Sequence, residues 1–156
     1  MEKDKVLEYI TPKTASFEGF SSKIYKCPAG FNTIGYGRNI EHYPLSKEQR
    51  AYLDSNNNEI TEDVAMEWLK KDLEQRYYLA CDFAWFRDLD NVARAGAVVD
   101  LIYNLGYSGF KKFKKFIEAM SKKDYKKASA ELVDSKWHNQ VGNRAKEICR
   151  MIEMGC

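Results

Sequence analysis

The chain has 156 residues, of which 44% are hydrophobic and 31% charged, with a net charge of only +2. Those proportions describe a globular protein of one domain or of two small lobes sharing a core, and exclude a disordered chain. The near balance of charge makes no demand for nucleic acid, and no apolar run approaches the roughly 20 residues needed to span a bilayer.

The opening residues, MEKDKVLEYI, are charged and lack the apolar core of a secretory signal, so the chain is expected to be made and held in a cytoplasm. Cysteines stand at 27, 81, 149 and 156 without a C-x-x-C pair, and there are two histidines. Free thiols, no metal and no cofactor are the expectation.

Val6, Leu7 and Ile10 fall at helical spacing and predict a short helix over 4–10. Thr11-Pro12 reads as the cap and first residue of a second helical turn, ended near Glu18 by Gly19. From Lys23 to Ile40 the texture changes to short Ile-, Tyr- and Thr-rich runs broken by Pro28, Gly30, Gly35 and Gly37. This predicts two or three short antiparallel strands.

The remainder reads as helix. Ser46 and Gln49 make a capping box for a helix to about Leu53. Thr61 caps a longer segment to about Ala80, with Val64, Trp68, Leu69 and Leu73 in one stripe, long enough for a rod of roughly 30 Å. Asp90 is expected to cap the next helix, whose run AGAVVDLI predicts burial nearly all round, up to Gly106. Helices follow at about 109–121, 125–134 and 137–141, and a last one begins at Asn143.

Eight lysines lie between Lys111 and Lys127, with Glu118 and Asp124 the only acids among them. A solvated helical face explains this; so does attraction for a polyanionic surface. Phe110, Phe113, Phe116 and Ile117 interleave at helical spacing as core residues.

The stretch FEGFSSKIYKCPAGFNTIGYGR, residues 17–38, concentrates the residues that suggest a site. A carboxylate at a helix end facing a glycine-rich turn suits a general acid, because apolar surroundings raise its pKa. Cys27, beside Lys26, is a candidate thiolate. Thr33 in a strand, and Gly35 and Gly37 around Tyr36, fit close approach to a ligand as well as plain packing or a tight turn.

The run Glu18-Gly19, Lys23-Ile24-Tyr25-Lys26, Gly30 and Thr33-Ile34-Gly35-Tyr36-Gly37 resembles the signature of the phage-type lysozymes, glycoside hydrolase family 24. Arg94-Ala95 with Tyr103-Asn104-Leu105-Gly106 extends the resemblance. So does Ser135-Lys136-Trp137-His138-Asn139-Gln140 with Asn143-Arg144-Ala145-Lys146, in the pattern of the T-even phage members. The likeness runs in matching order from about residue 14 to 150.

The resemblance implies an α+β, predominantly α-helical, lysozyme-like fold over a single domain, 1–156. A small α/β lobe with a short antiparallel sheet (14–60) would be joined by a connecting helix (61–80) to a larger helical lobe (81–156), on which 1–13 would pack. It implies a monomeric endolysin that reaches peptidoglycan from the host cytoplasm through a holin-type pore, with neither membrane nor nucleic acid as partner. The bond cut would be the β-1,4 link between N-acetylmuramic acid and N-acetylglucosamine.

By the same resemblance Glu18 is the general acid, Thr33 orients the attacking water, and Arg144 matches an arginine that pairs with the catalytic glutamate. Tyr103 and Asn104 face the sugar. Asn39, Phe116 and Glu131 align with sugar-contacting positions, though their residue types differ from the family's. Cys27 stands where the family has an aspartate, and Arg38 where it has a histidine. Two rivals stay open: a thiol hydrolase using Cys27 with His42 or His138, and a non-catalytic peptidoglycan-binding module.

Overall fold

The computed structural model describes residues 2–156. They form ten helices and one three-stranded sheet, and divide into two compact units. One is contiguous, Thr11–Lys71; the other joins the residues up to Ile10 with Asp72–Cys156.

Helix α1 runs unbroken over Lys3–Glu18 with Pro12 inside it, so the two segments expected on either side of Thr11-Pro12 are one. Two facts explain the difference. Val6, Leu7, Ile10, Thr11, Thr14 and Ala15 are all buried, at spacings that carry one stripe straight past the proline. Pro12 and Glu8 are both exposed, so the carbonyl that loses its i+4 partner faces water rather than the core. Gly19, at φ 73°, ends the helix, and its N–H returns to Ala15 O at 3.0 Å.

In the contiguous unit the sheet is built from β1 (Ser21–Lys26), β2 (Asn32–Gly35) and β3 (Arg38–Asn39), antiparallel and in that order. Tyr25 pairs with Thr33, and Thr33 with Asn39. Helix α2 (Lys47–Ser55) begins with the expected box: Gln49 N–H donates to Ser46 Oγ at 3.1 Å, and Ser46 N–H donates to Gln49 Oε1 at 3.0 Å. Such a box is worth about 1 kcal/mol. The core here gathers Ile34, Leu53, Ile60, Ala65 and Trp68, with Tyr36, Leu45, Tyr52 and Val64 packed around them.

Helix α3 (Glu62–Ala80) opens on Thr61, whose hydroxyl accepts from Val64 N–H at 3.3 Å. In the second unit a short α4 (Ala84–Arg87) precedes α5 (Val92–Leu105), the most buried helix. Its cap is Asn91 rather than Asp90: Asn91 Oδ1 accepts from Arg94 N–H at 2.9 Å. Gly96 lets α1 approach, since a Cβ there would stand 3.2 Å from Ile10 Cβ and 3.3 Å from Tyr9 Cδ1.

The single helix expected over 109–121 is two, α6 (Tyr107–Lys111) and α7 (Lys114–Ser121). Phe113, at φ −78° and ψ 63°, breaks the spiral. The bend lets Phe110 and Phe116 both enter the core, their rings 6.0 Å apart edge to face. Helices α8 (Tyr125–Val133), α9 (Lys136–Val141) and α10 (Asn143–Met154) complete the unit. Arg94 donates to Ile152 O at 2.8 Å and Glu153 O at 2.9 Å, capping the carbonyl end of α10.

Candidate active site

Glu18 is the last residue of α1, and the turn between β2 and β3 lies directly against its side chain. A Cβ on Gly37, which sits at φ 73°, would stand 2.7 Å from Glu18 Cδ and 3.2 Å from Cγ. Only glycine meets both demands, the left-handed backbone and the bare Cα facing a carboxyl group.

Cys27 begins the turn between β1 and β2, closed by Cys27 N–H to Phe31 O at 2.9 Å and Gly30 N–H to Cys27 O at 2.8 Å. The same turn lowers the pKa of the thiol. The leading cause is the backbone amide of Phe31, with those of Ala29 and Gly30 adding to it against partial desolvation. The turn's backbone amides thus favour the charged form of the thiol, in place of the Lys26 ammonium that the sequence suggested.

Thr33, on β2, is 2% exposed and donates its hydroxyl hydrogen to Phe31 O at 2.9 Å. With that proton engaged, the oxygen lone pairs point their capacity at whatever donor approaches. Tyr25 was not singled out in the sequence. It pairs with Thr33 in register, so the two side chains share a face of the sheet. Its phenol pKa is raised by burial first, then by the charges of Glu18 and Cys27. Pairing across the strands is the signal that would have found it.

Arg38, at the position of the family's histidine, is 9% exposed and knits the next loop together. It donates to Tyr43 O at 2.9 Å, Pro44 O at 3.0 Å and Gln49 Oε1 at 3.1 Å. Asn39 Oδ1 accepts from the N–H groups of Glu41 and His42, each at 3.0 Å. His42 packs on Phe31 with ring centroids 4.4 Å apart.

The remaining candidates belong to the other unit. Arg144, on α10, donates to both carboxylate oxygens of Asp100, at 3.0 and 2.9 Å, with side chains 8% and 0% exposed. Asp100 was missed, though a lone charge in a buried apolar helix signals that a partner must exist. Asn104 Oδ1 accepts from Trp137 Nε1 at 2.6 Å, and the Arg76 guanidinium lies 5.1 Å from the Tyr103 ring centroid. Glu131 is half-buried on α8. Phe116 is 1% exposed, so its ring belongs to the core and offers no surface to a sugar.

Among the described residues no group of three His, Cys, Asp or Glu is placed to hold a metal ion. No helix is long and apolar enough to cross a membrane.

The model of the phage lysozyme family matches residues 15–150. Among individual proteins, the pre-baseplate central spike protein Gp5 of Enterobacteria phage T4 is similar, with 27% identity over 153 residues. That match takes in 88% of this chain and 26% of Gp5, so the chain spans about a quarter of the length of the relative it resembles. The matched region includes Glu18 against Gly37, the amide-held Cys27 and the buried Thr33, and on that footing the chain belongs to the phage lysozyme family.

Proposed function

We propose that the chain is a muramidase, hydrolysing the β-1,4 bond between N-acetylmuramic acid and N-acetylglucosamine in peptidoglycan. Family membership supports the substrate class. The observation that carries the chemistry is the turn 27–31, whose amides favour the charged form of Cys27 where the family has a carboxylate.

In this reading the Glu18 carboxyl donates its proton to the glycosidic oxygen as the bond to C1 breaks. The Cys27 thiolate supplies the negative charge that steadies the oxocarbenium-like state and takes a proton from the incoming water. Thr33, its own hydrogen committed to Phe31 O, accepts a hydrogen bond from that water and aims it at C1. The thiol then loses its proton and Glu18 regains one, closing the cycle. Asn39, Tyr103, Asn104 and Glu131 are assigned to the sugar, and Phe116 is left out. Arg144 is assigned a supporting role through its pair with Asp100.

A reducing-end assay on purified peptidoglycan tests this. Wild type should release reducing sugar and Glu18→Gln should not, while both give the same circular dichroism. Equal rates would remove Glu18 from the mechanism. Release of free amines in place of reducing sugar would replace the muramidase with a thiol hydrolase. Pelleting with cell wall and no product from wild type would leave a binding module.

We further assign the chain, as a monomer of one domain with a small lobe over 14–60 and a helical lobe over 81–156, to an endolysin held in the host cytoplasm until a holin-type pore opens. A second setting is favoured by the match to a central spike protein: a lysozyme carried on the phage particle. Detection of the chain in purified particles would select the particle-borne role, and its confinement to the lysate the endolysin.

A further inference from the structure

The basic charge of the molecule is segregated. The run Lys111–Lys127 holds eight of the 25 basic residues and two of the 23 acidic ones, a net +6. The whole chain carries +2, so everything outside those seventeen residues is net −4.

All eight lysines are exposed. Two are engaged: Lys111 Nζ lies 4.5 Å from the Tyr107 ring centroid, and Lys122 Nζ meets Glu118 Oε1 at 2.9 Å. Asp124, the other acid, accepts from Lys127 N–H at 3.1 Å as the cap of α8. Lys112, Lys114, Lys115, Lys123, Lys126 and Lys127 have no side-chain hydrogen bond or ion pair among the described residues.

Fold stability does not explain these placements. Lys114 and Lys115 occupy the first turn of α7, and Lys126 and Lys127 that of α8, and neither turn contains an acid. A helix start favours anions, so four cations there oppose the dipole. Lys123 sits at φ 58°, where glycine or asparagine would be at ease.

We propose that this face binds a linear phosphodiester polyanion attached to the cell wall, of the polyol-phosphate class. The cell-wall location rests on the muramidase reading; the charge argument does not. One group of four lysines flanks the start of α7 and the other spans its end and the start of α8. From Lys115 to Lys122 the helix rises by about 10 Å, a span that a repeating anion bridges and a single phosphate does not. A lipid surface fits less well. Phe110, Phe116 and Met120 are buried, and none of the exposed large hydrophobic side chains lies in 111–127. Duplex DNA would extend past the patch into the field of the net-acidic remainder, which a thin flexible polymer can avoid.

The test measures binding of the full chain to lipid-free poly(glycerol phosphate) across a salt series. A quadruple Lys→Gln variant at Lys114, Lys115, Lys126 and Lys127 is set against a charge-matched variant at Lys5, Lys23, Lys47 and Lys70, also exposed. The patch variant should bind at least about tenfold more weakly at low salt, and its log–log salt slope should fall by about 3, as expected when four ion pairs no longer release counterions. The control should bind as wild type does. On cell wall stripped of polyol phosphate the patch variant should hydrolyse at the wild-type rate, and on intact wall more slowly. Equal losses in both variants would overturn the proposal, as would tighter binding to anionic vesicles or to duplex DNA than to the polymer. Absence of all hydrolysis would overturn the muramidase reading and leave the binding result standing.

Discussion

Arg144 and Asp100 form a two-pronged ion pair, 3.0 and 2.9 Å, sealed from solvent and linking α10 to α5 across 44 residues of sequence. Removing either partner strips a buried charge of this two-pronged contact, which costs about 3–5 kcal/mol. Asp100→Ala and Arg144→Ala should therefore each lower stability in denaturant melts by that amount. The double variant should cost less than the two together, because the charge stripped of that contact is then gone. Losses under 1 kcal/mol in the single variants would show the pair to be dispensable.

The thiols should separate by reactivity. Turn amides push the Cys27 pKa down, whereas burial pushes those of Cys81 and Cys149 up. Iodoacetamide near neutral pH should modify Cys27 ahead of both, and turnover should fall in step with that first modification. Mass spectrometry of partially labelled protein reads the order. Full turnover after complete Cys27 alkylation would exclude the thiolate role.

The same shift fixes the sign of a pH effect. A thiol whose folded pKa is lowered gains its charge as pH rises, so hydrolysis should climb through that pKa. Its stabilising effect on the fold is complete above the ordinary thiol value and is lost as pH falls through the lowered one. Cys27→Asp brings a group that ionises near about 3.9, so the acid limb of the rate profile should move to lower pH. Coincident acid limbs in the two proteins would contradict this.

At Gly37 a methyl group collides with the Glu18 carboxyl and forces φ 73° on an L-residue. Gly37→Ala should cost about 1–2 kcal/mol in stability. Its larger effect should be on rate, since the Glu18 side chain must move aside. Comparing kcat with the melting curve separates the two, and a variant with unaltered kcat would place the acid elsewhere.

Pro12 sits mid-helix on an exposed face, with the carbonyl of Glu8 deprived of its donor. Pro12→Ala restores that hydrogen bond and removes a poor helix former, offset by greater freedom in the unfolded chain. A net gain of about 1–2 kcal/mol is expected on thermal unfolding. A lower melting point would mean that the proline stabilises α1 by restricting the unfolded state.

Where chemistry was local, the sequence disclosed it. Ser46 with Gln49 announced its capping box, Gly19 its left-handed stop, and the change of texture after Lys23 its sheet. The failures were places where tertiary packing overrode a local rule. A continuous buried stripe carried α1 past Pro12, and the demand that both Phe110 and Phe116 reach the core split a helix at Phe113. At 90–91 two adjacent residues could each cap, and backbone geometry chose Asn91. In the candidate site, Glu18, Cys27 and Thr33 were legible through the resemblance to the family signature. Tyr25 and Asp100 were not, because their meaning lies in partners on another strand and another helix.

The unit that holds Asp100 and Arg144 also contains the start of the chain. Val6, Leu7 and Ile10 are fully buried and grouped with residues beyond Asp72, whereas Thr11–Lys71 is continuous. During synthesis the continuous unit has all its residues once about half the chain has emerged. The other must keep its first helical turns waiting, apolar face uncovered, until α5 and α10 have left the ribosome. The exposure of that apolar stripe to chaperones and proteases therefore lasts as long as the synthesis of α5 and α10 takes.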